Sequence, residues 1–225
     1  MKSLRQNPHL DIYRHLAFAA VGGFFASYAV LCRMGVMANA QTMNLVELVL
    51  HALTGDGHVV LLHLGSFAVY VLGTVLTVFL PHFLHWDPRR VSPLITALTA
   101  VTLALIPPTA PTIPSLYPIF FAMSFQWSAY SGADGFYSST IFSTNNTKQT
   151  SLALAEYICH RDPEQLRKAR LFALTLLCFH LGVAYAYLMV DHFGTAASLA
   201  ILPVVFWCMI LVHCEITAAD KNARS

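Results

Sequence analysis

Charged residues are scarce in this sequence of 225 residues. Only 11% of its residues are Asp, Glu, Lys or Arg, whereas 56% are hydrophobic. Because an ordinary soluble domain has roughly 25% charged residues, this composition excludes a soluble protein. The 13 Lys and Arg residues form no basic stripe and the formal net charge is only +2, so we expect no nucleic-acid partner.

The sequence is also poor in the residue patterns that carry chemistry. Its five cysteines show no CxxC spacing, and those inside apolar runs behave as small hydrophobes. We therefore predict no disulfide scaffold, no metal site and no cofactor. The apolar runs contain no HExxH, no GxSxG and no paired acids, so we expect that the protein is not an enzyme.

What the sequence has in abundance is long apolar runs. About 20 such residues are needed to cross a bilayer as a helix. Five runs come close to or exceed this length and a sixth is slightly short; they cover 16–32, 59–80, 91–106, 119–131, 171–190 and 196–212. We predict an all-α membrane protein with six transmembrane helices in a single membrane domain. Since no clear cleavage site follows the first run, we expect a retained helix rather than a signal peptide.

Lys and Arg lie in alternate turns of this predicted bundle. They occur before the first run at Lys2, Arg5 and Arg14, then around Arg89, in 161–170 and in the tail. The turns around Asp56, at 107–118 and around Asp191 contain none. The positive-inside rule then places both termini in the cytoplasm.

Two segments, 34–53 and 136–158, are too polar for a lipid-facing helix and too apolar for a simple loop. The predicted orientation leaves no full crossing for either, so each must be interrupted and re-entrant or must lie in the interface. An interfacial helix fits the first segment, because an apolar stripe lies opposite Glu47 and His51. That stripe consists of Leu45, Leu48, Val49, Ala52 and Leu53. The sequence leaves both alternatives open.

The two segments resemble one another. Thr42 and Asn44 align with Thr144 and Asn146 at an offset of 144 − 42 = 102 positions. In each half a crossing is followed by this Thr-x-Asn segment and then by two further crossings, so the second half starts from the opposite side. We predict two inverted three-helix repeats, 16–106 and 119–212, joined by a proline-rich link at 107–118. Inverted repeats are typical of transporters, whose sites lie where helices are interrupted.

Polar residues at membrane depth supply the candidate site. Thr and Asn side chains can satisfy freed backbone groups or present oxygens to a ligand. The candidate substrate-binding residues are Thr42, Asn44, Gln126, Thr144 and Asn146. Ionisable groups at such depth indicate a pathway or a partner, so His63, His180 and Glu47 are candidates for proton coupling. A packing role with ordinary hydrogen bonds is the alternative for the histidines.

Several stretches resemble a known bacterial family. They are 22–28 (Gly-Gly-Phe-Phe-Ala-Ser-Tyr), 41–46 (Gln-Thr-Met-Asn-Leu-Val), 121–129 around Gln126, and 143–146 (Ser-Thr-Asn-Asn). Together they are similar to the YoaK-like family of multi-spanning membrane proteins of unknown function, over roughly 16–212. The family carries a Thr-Gly-Asn-like signature in each half, but Met43 and Asn145 replace the glycine here. The resemblance implies a plasma-membrane location and supplies no substrate.

The sequence leaves two classes of function open. The leading one is a transporter or channel for a small solute or ion, with its site between the two repeats. The alternative is a structural or regulatory membrane protein that binds a lipid or a protein partner and transports nothing. Stripes of small residues in the second and third runs allow close helix packing, either within one subunit or in a homo-oligomer.

Overall fold

The structure, a computed structural model, describes residues 8–33 and 35–224. The predicted cytoplasmic charges Lys2 and Arg5, the side chains of Lys221 and Arg224, and Met34 lie outside the described residues. Three helical stretches, Leu10–Cys32, Gly57–Leu84 and Pro163–Asp220, are long and apolar enough to cross a bilayer. This is the pattern of an integral membrane protein.

Nearly all of the described chain is helical. A π-helical turn, Leu80–Leu84, extends the third helix, and a 3-10 helix, Gly194–Ile201, joins the last two. The α-helices are α1 (Pro8–Cys32), α2 (Gln41–Thr54), α3 (Gly57–Phe79), α4 (Pro88–Leu105), α5 (Thr112–Ser115), α6 (Tyr117–Ala129), α7 (Thr144–His160), α8 (Pro163–Phe193) and α9 (Leu202–Arg224).

Local sequence signals explain where several helices begin. The side chains of Asp56, Asp87 and Asp162 each accept a hydrogen bond from a backbone N–H in the first turn of α3, α4 and α8. Pro88 and Pro163 then occupy the first helical position, where proline loses no hydrogen bond. These signals set the turns that join successive helices.

The third apolar stretch is a pair of antiparallel helices. The start of α8 and the start of α1 both contact the turn at 134, through Arg167 with the Asp134 carboxylate and through Asp11 with the Asp134 amide. At the far end, the Tyr28 hydroxyl donates to the Thr195 carbonyl. Helix α9 then returns along α1, and Glu215 reaches Arg14. The first and last helices therefore have their terminal ends on the same side of the bundle.

The helices pack in a reciprocal pattern. Helix α1 packs against α8 and α9, while α6 packs against α3 and α4; α2 lies on α3, and α7 lies on α8. Helix α6 runs in the same direction as α3, because its first residue, Tyr117, bonds the Leu62 carbonyl and Phe121 lies against Gly73. It runs opposite to α4, since Tyr130 donates to the carbonyl of Arg89.

Glycines allow the closest helix contacts. A Cβ on Gly23 would collide with the carbonyl oxygen of Phe179 in α8, and one on Gly182 would collide with that of Ala20 in α1. Gly65 and Gly73, in the small-residue stripe of the second apolar run, face Tyr117 and Phe121 in the first turns of α6. These contacts join the N-terminal and C-terminal halves of the chain within one subunit.

The predicted helical membrane class is supported, but six crossings are not confirmed. The third and fourth predicted runs coincide with α4 and α6, which are not among the three long apolar stretches. Helix α6 has 13 residues, or about 20 Å at 1.5 Å per residue, less than the apolar thickness of a bilayer. The all-α prediction also missed a short hairpin, β1 (Gly132–Ala133) and β2 (Phe136–Tyr137), which turns at Gly135 (φ 80°).

Charged side chains are buried at the end of the bundle where α1 begins and α9 ends. Arg14 Nη1 lies 2.5 Å from Glu215 Oε2, and both side chains are buried; Arg14 Nη2 also donates to the carbonyl of Gly132. Arg89 approaches Glu215 at 3.7 Å and pairs with Asp87. Burial raises the pKa of Asp87, but the hydrogen bonds and charge of Arg89 outweigh it and lower that pKa below its ordinary value. This cluster ties α1, α4, α9 and the hairpin together.

Candidate functional site

The non-helical segments before α2 and α7 meet beside the middle of α1. Asn39 Nδ2 donates to the carbonyl oxygen of Gly22 at 2.8 Å and to that of Ile141 at 3.5 Å. Gly22 also accommodates the second segment, because a Cβ there would collide with the carbonyl of Thr140. Each segment therefore ends deep in the bundle, and α2 and α7 begin there. This geometry favours the re-entrant alternative over the interfacial one.

Gln126 anchors the same region from α6. Its Nε2 donates to the hydroxyl of Thr140 at 2.9 Å and to the carbonyl of Phe18 at 3.2 Å. The side-chain oxygens of Gln126 and Asn39 are fully buried and have no hydrogen-bond partner among the described residues. Buried acceptors of this kind usually hold a water molecule or a ligand.

Asn44 is the centre of a polar cluster between α2 and α3. Its side-chain oxygen accepts from Ser66 Oγ at 2.5 Å and from His63 Nδ1 at 2.7 Å. Its amide nitrogen donates to Gln41 Oε1 at 2.7 Å and to the carbonyl of His63 at 3.2 Å. Every hydrogen-bonding position of the Asn44 amide is thus filled by the protein.

The polar cluster extends towards the turn between α2 and α3. The His51 ring lies nearly parallel to the His63 ring, with centroids 5.8 Å apart. His51 Nε2 is 3.7 Å from a carboxylate oxygen of Glu47, and His51 Nδ1 is 3.9 Å from one of Asp56. Glu47 therefore contacts His51 rather than either of the histidines with which it was grouped from the sequence.

Asn146 belongs to a separate network in the second half. Its Nδ2 donates to the carbonyl of Ser139 at 2.6 Å, and its Oδ1 accepts from the Ser139 amide at 3.3 Å. Ser138 lies against the same oxygen and against His15 Nε2. Asn146 thereby holds the chain that leads into α7, whereas Asn44 joins two helices.

A cavity of about 1670 Å³ lies between the starts of α2 and α7. Thr42 and Thr144 both line it, whereas Asn44, Gln126 and Asn146 do not. Most of its wall is apolar. The polar lining comes from Ser27 in α1 and from the starts of the two shorter helices, namely Gln41, Thr42, Ser143, Thr144, Asn145 and Lys148.

The electrostatics at the two helix starts are positive. Neither Ala40 nor Ser143, the residues that precede α2 and α7, makes a side-chain capping bond. Both helices therefore direct the positive end of their dipole towards the cavity, and Lys148 in α7 adds a full charge. The arrangement favours a group that carries acceptor oxygens.

A second cavity, of about 540 Å³, adjoins the first. It is lined by serines and by Tyr137 of the hairpin, and it shares Trp127, Phe142 and Asn145 with the larger cavity. The Trp127 and Phe142 rings meet edge to face at 4.9 Å. These two rings therefore stand where the cavities adjoin.

His180 lies apart from the other candidates. It is exposed on α8, and its Nδ1 contacts the carbonyl of Leu176 in its own helix. The structure brings His63 and Asn44 together, places Thr42 and Thr144 on one cavity, and leaves His180 on the outer surface.

The shorter helices turn their apolar faces outwards. In α2 the exposed fractions of Leu45, Val49 and Leu53 are 40%, 53% and 80%, whereas Asn44 on the opposite side is 6% exposed. The stripe predicted from the sequence is therefore real; it faces outwards, and its members Leu45 and Val49 also line the open apolar side of the large cavity. A polar interior with an apolar exterior is the arrangement that a lipid environment requires.

Sequence reasoning missed several polar residues of this region. Asn39, Ser66 and Thr140 are each buried and hydrogen-bonded at the helix starts or beside them. Asn39 had a usable signal, because a polar amide two residues before a helix inside an apolar chain needs a partner. Ser66 had none, since serine is common in membrane helices.

Comparison with known proteins gives one match. A family model described as a protein of unknown function, DUF1275, matches residues 15–212. The chain belongs to the DUF1275 family. No curated protein and no solved structure matches it. The DUF1275 match spans α1 to α9, so the helix starts and the cavity all lie within the family region.

Proposed function

We propose that this DUF1275 protein transports a small solute across the bacterial plasma membrane, through a site where α2 and α7 begin. One observation carries the proposal: the starts of both helices line one cavity, at Thr42 and Thr144, and their lead-in segments touch at Asn39 and Ile141. Irregular backbone at membrane depth is tolerated only where protein surrounds it or where it lines a water-filled cavity.

The topology that goes with this proposal has six crossings. Helices α1, α3, α4, α6, α8 and α9 span the membrane, and α2 and α7 enter from opposite sides and return. The reciprocal packing of α1 on α8 and of α6 on α3 supports two inverted repeats with the boundaries given above. Both termini lie in the cytoplasm, in agreement with the alternation of Lys and Arg. Within DUF1275, the narrower YoaK-like assignment fits the same architecture.

The site residues then fall into two groups. Thr42 and Thr144 contact the solute directly, whereas Asn44, Gln126 and Asn146 hold the non-helical backbone around it. The two positive helix ends and Lys148 favour a solute with acceptor oxygens, and the apolar wall accommodates its carbon skeleton. The proposal assigns no catalytic step and no cofactor.

Osmotic swelling of proteoliposomes tests this function even while the solute is unidentified. Vesicles with and without protein are exposed to gradients of sugars, polyols, amino acids and carboxylic acids, and swelling is followed by light scattering. We expect protein-dependent entry of at least one class. A bulky maleimide on Thr42→Cys, in a cysteine-free background, should block it.

The matched control is Leu64→Cys, labelled like Thr42→Cys in detergent before reconstitution, which places the same maleimide on an exposed position of α3 that lines neither cavity. Its flux should equal that of the unmodified protein. If no class of solute enters faster than into protein-free vesicles, the transport proposal is rejected. The non-transporting alternative, in which the apolar cavity holds a lipid or a protein partner, then replaces it.

A further inference from the structure

The polar cluster between α2 and α3 reaches from the Asp56 turn to a residue that lines the large cavity. We propose that this cluster binds the coupling proton of the transport cycle and that His63 is the residue that carries it. The inference deepens the proposed function and rests on it, because a coupling proton has meaning only where a solute is moved. Its evidence is the chain of contacts from Asp56 through His51 and His63 to Asn44.

The tautomer of His63 follows from its partners. Asn44 Nδ2 donates to the carbonyl of His63 and to Gln41 Oε1, so the amide oxygen of Asn44 is the atom that faces His63 Nδ1. An amide oxygen only accepts hydrogen bonds. His63 Nδ1 must therefore carry a hydrogen in the neutral ring, and the lone pair that takes up a proton is on Nε2.

The route that we infer from water to His63 passes along the side chains beside the α2–α3 turn. His51 stacks on His63 and lies 3.7 Å from Glu47 and 3.9 Å from Asp56. Both gaps exceed a direct hydrogen bond, so these side chains are close neighbours without being bonded to one another. A proton from water at the Asp56 turn forms the N–H bond at His63 Nε2, which gives an imidazolium. The same proton returns to water when the site opens to the other side.

Several titratable groups lie on the elements that pack around His63. On α2 its ring neighbour is His51, which itself lies near Glu47 and near Asp56 of the α2–α3 turn. Its own helix carries His58 at its start and Tyr70 two turns after His63, and the π-helical turn that extends the helix carries His82. Helix α6 contributes Tyr117, whose hydroxyl bonds the Leu62 carbonyl. Helix α5 has no titratable side chain. Among the histidines of this group, His63 alone is buried, at 6% exposure.

Protonation of His63 is transmitted to the cavity through one residue. A hydrogen bond from an imidazolium is stronger than one from a neutral ring, so the proton strengthens the bond from Nδ1 to Asn44. Asn44 in turn donates to Gln41 at 2.7 Å, and Gln41 lines the cavity. The start of α2, with Thr42 beside Gln41, therefore responds to the charge of His63.

The test measures the reactivity of Thr42→Cys as a function of pH. Purified protein in lipid nanodiscs is treated with a small water-soluble thiosulfonate between pH 5 and 8. The same rates are measured with His63→Gln added, and with His180→Gln added as the control histidine on the outer surface. Because the intrinsic pH response of the thiol is common to all three proteins, the ratio of rates isolates the effect of His63.

We divide the reaction rate of Thr42→Cys by the rate of the same cysteine in the His63→Gln background, and we expect this ratio to change at least threefold between pH 5 and 8. The corresponding ratio for the His180→Gln background should not change with pH. NMR of ring-labelled histidine should show that His63 takes up a proton as the pH is lowered. His51→Gln should slow proton uptake without removing the response. If the ratio for His63→Gln does not change with pH, or if the ratio for His180→Gln changes as much, the proton site is rejected.

The failure of this inference can be distinguished from failure of the transport function. Solute entry into proteoliposomes that is unaffected by His63→Gln and by a pH gradient would leave transport standing and would exclude proton coupling. Absence of entry for every solute class would reject transport, whatever the thiol rates show.

Discussion

Asn39 and Ile141 touch, and the proposed repeat makes them equivalent positions in the two halves of the chain. Their separation, 141 − 39 = 102, is the same offset that aligns Thr42 with Thr144, and Asn39 Nδ2 lies 3.5 Å from the Ile141 carbonyl oxygen. Equivalent residues of two repeats meet only where a two-fold axis passes between them. The contact therefore marks the centre of the proposed inverted repeat.

Gly22 is expected to be essential for this central contact. Replacement by Ala puts a Cβ onto the Thr140 carbonyl, which is backbone and cannot move away as a flexible side chain would. We expect Gly22→Ala to lower stability by about 1–3 kcal/mol, the usual cost of overpacking. The apparent melting temperature in detergent measures it. Gly57→Ala, at a helical glycine with open space around it, is the control and should melt like the wild type.

Asn44→Leu and Asn146→Leu should destabilise the protein independently. Each leaves buried groups without a hydrogen bond, His63 Nδ1 in one case and the Ser139 backbone in the other, at about 1–3 kcal/mol each, while Ser66 keeps its bond to the His63 carbonyl. Because the two networks share no residue, the double variant should lose the sum to within about 0.5 kcal/mol. A double variant no less stable than either single one would show that the networks are joined.

Glu215→Gln should destabilise the end of the bundle where α1 begins. It leaves the buried guanidinium of Arg14 without its counter-charge, and breaking a buried ion pair on one side costs about 3–5 kcal/mol. Glu164→Gln, at an exposed position early in α8, should have little effect on the melting temperature. Equal melting of the two variants would mean that the ion pair contributes nothing to the fold.

The proposed topology predicts which turns react from outside the cell. Single cysteines at Asp56, Thr112 and His192 should be labelled in intact cells by an impermeant thiol reagent. Cysteines at Arg90 and Glu164 should be labelled only after the membrane is permeabilised. If Asp56 and Arg90 react from the same side, α3 does not cross the membrane and the inverted repeat is wrong.

How far the sequence alone predicts this fold depends on the kind of signal. The apolar runs of α1, α3 and α8 are visible in composition, because lipid demands many consecutive apolar residues. The repeated Thr-x-Asn pattern marked two unusual segments, and the structure shows that α2 and α7 begin there, which the sequence did not predict. The hairpin at 132–137 was not predicted, since strands of two residues leave no periodic pattern.

The site was less predictable, because the hydrogen-bond partners of its polar residues are set by how the helices pack in three dimensions. Thr42 and Thr144 line a common cavity, but Asn44 and Asn146, two residues along, face away from it onto α3 and onto 138–139. A sequence pattern shows which face of a helix a residue lies on, but it does not show which other part of the chain packs against that face. For the same reason, the sequence grouped Glu47 with His63 and His180, whereas in the structure Glu47 lies against His51.

The central claim is that a hydrated site between the starts of α2 and α7 opens to both sides of the membrane. Its most direct test is the reaction of Thr42→Cys and Thr144→Cys with a charged, impermeant thiosulfonate in right-side-out and in inside-out vesicles. Alternating access predicts that each cysteine reacts in both orientations, while Leu64→Cys on the outer face of α3 reacts in neither. Protection of both cysteines in both orientations, or reaction of each from one side only, would contradict the claim.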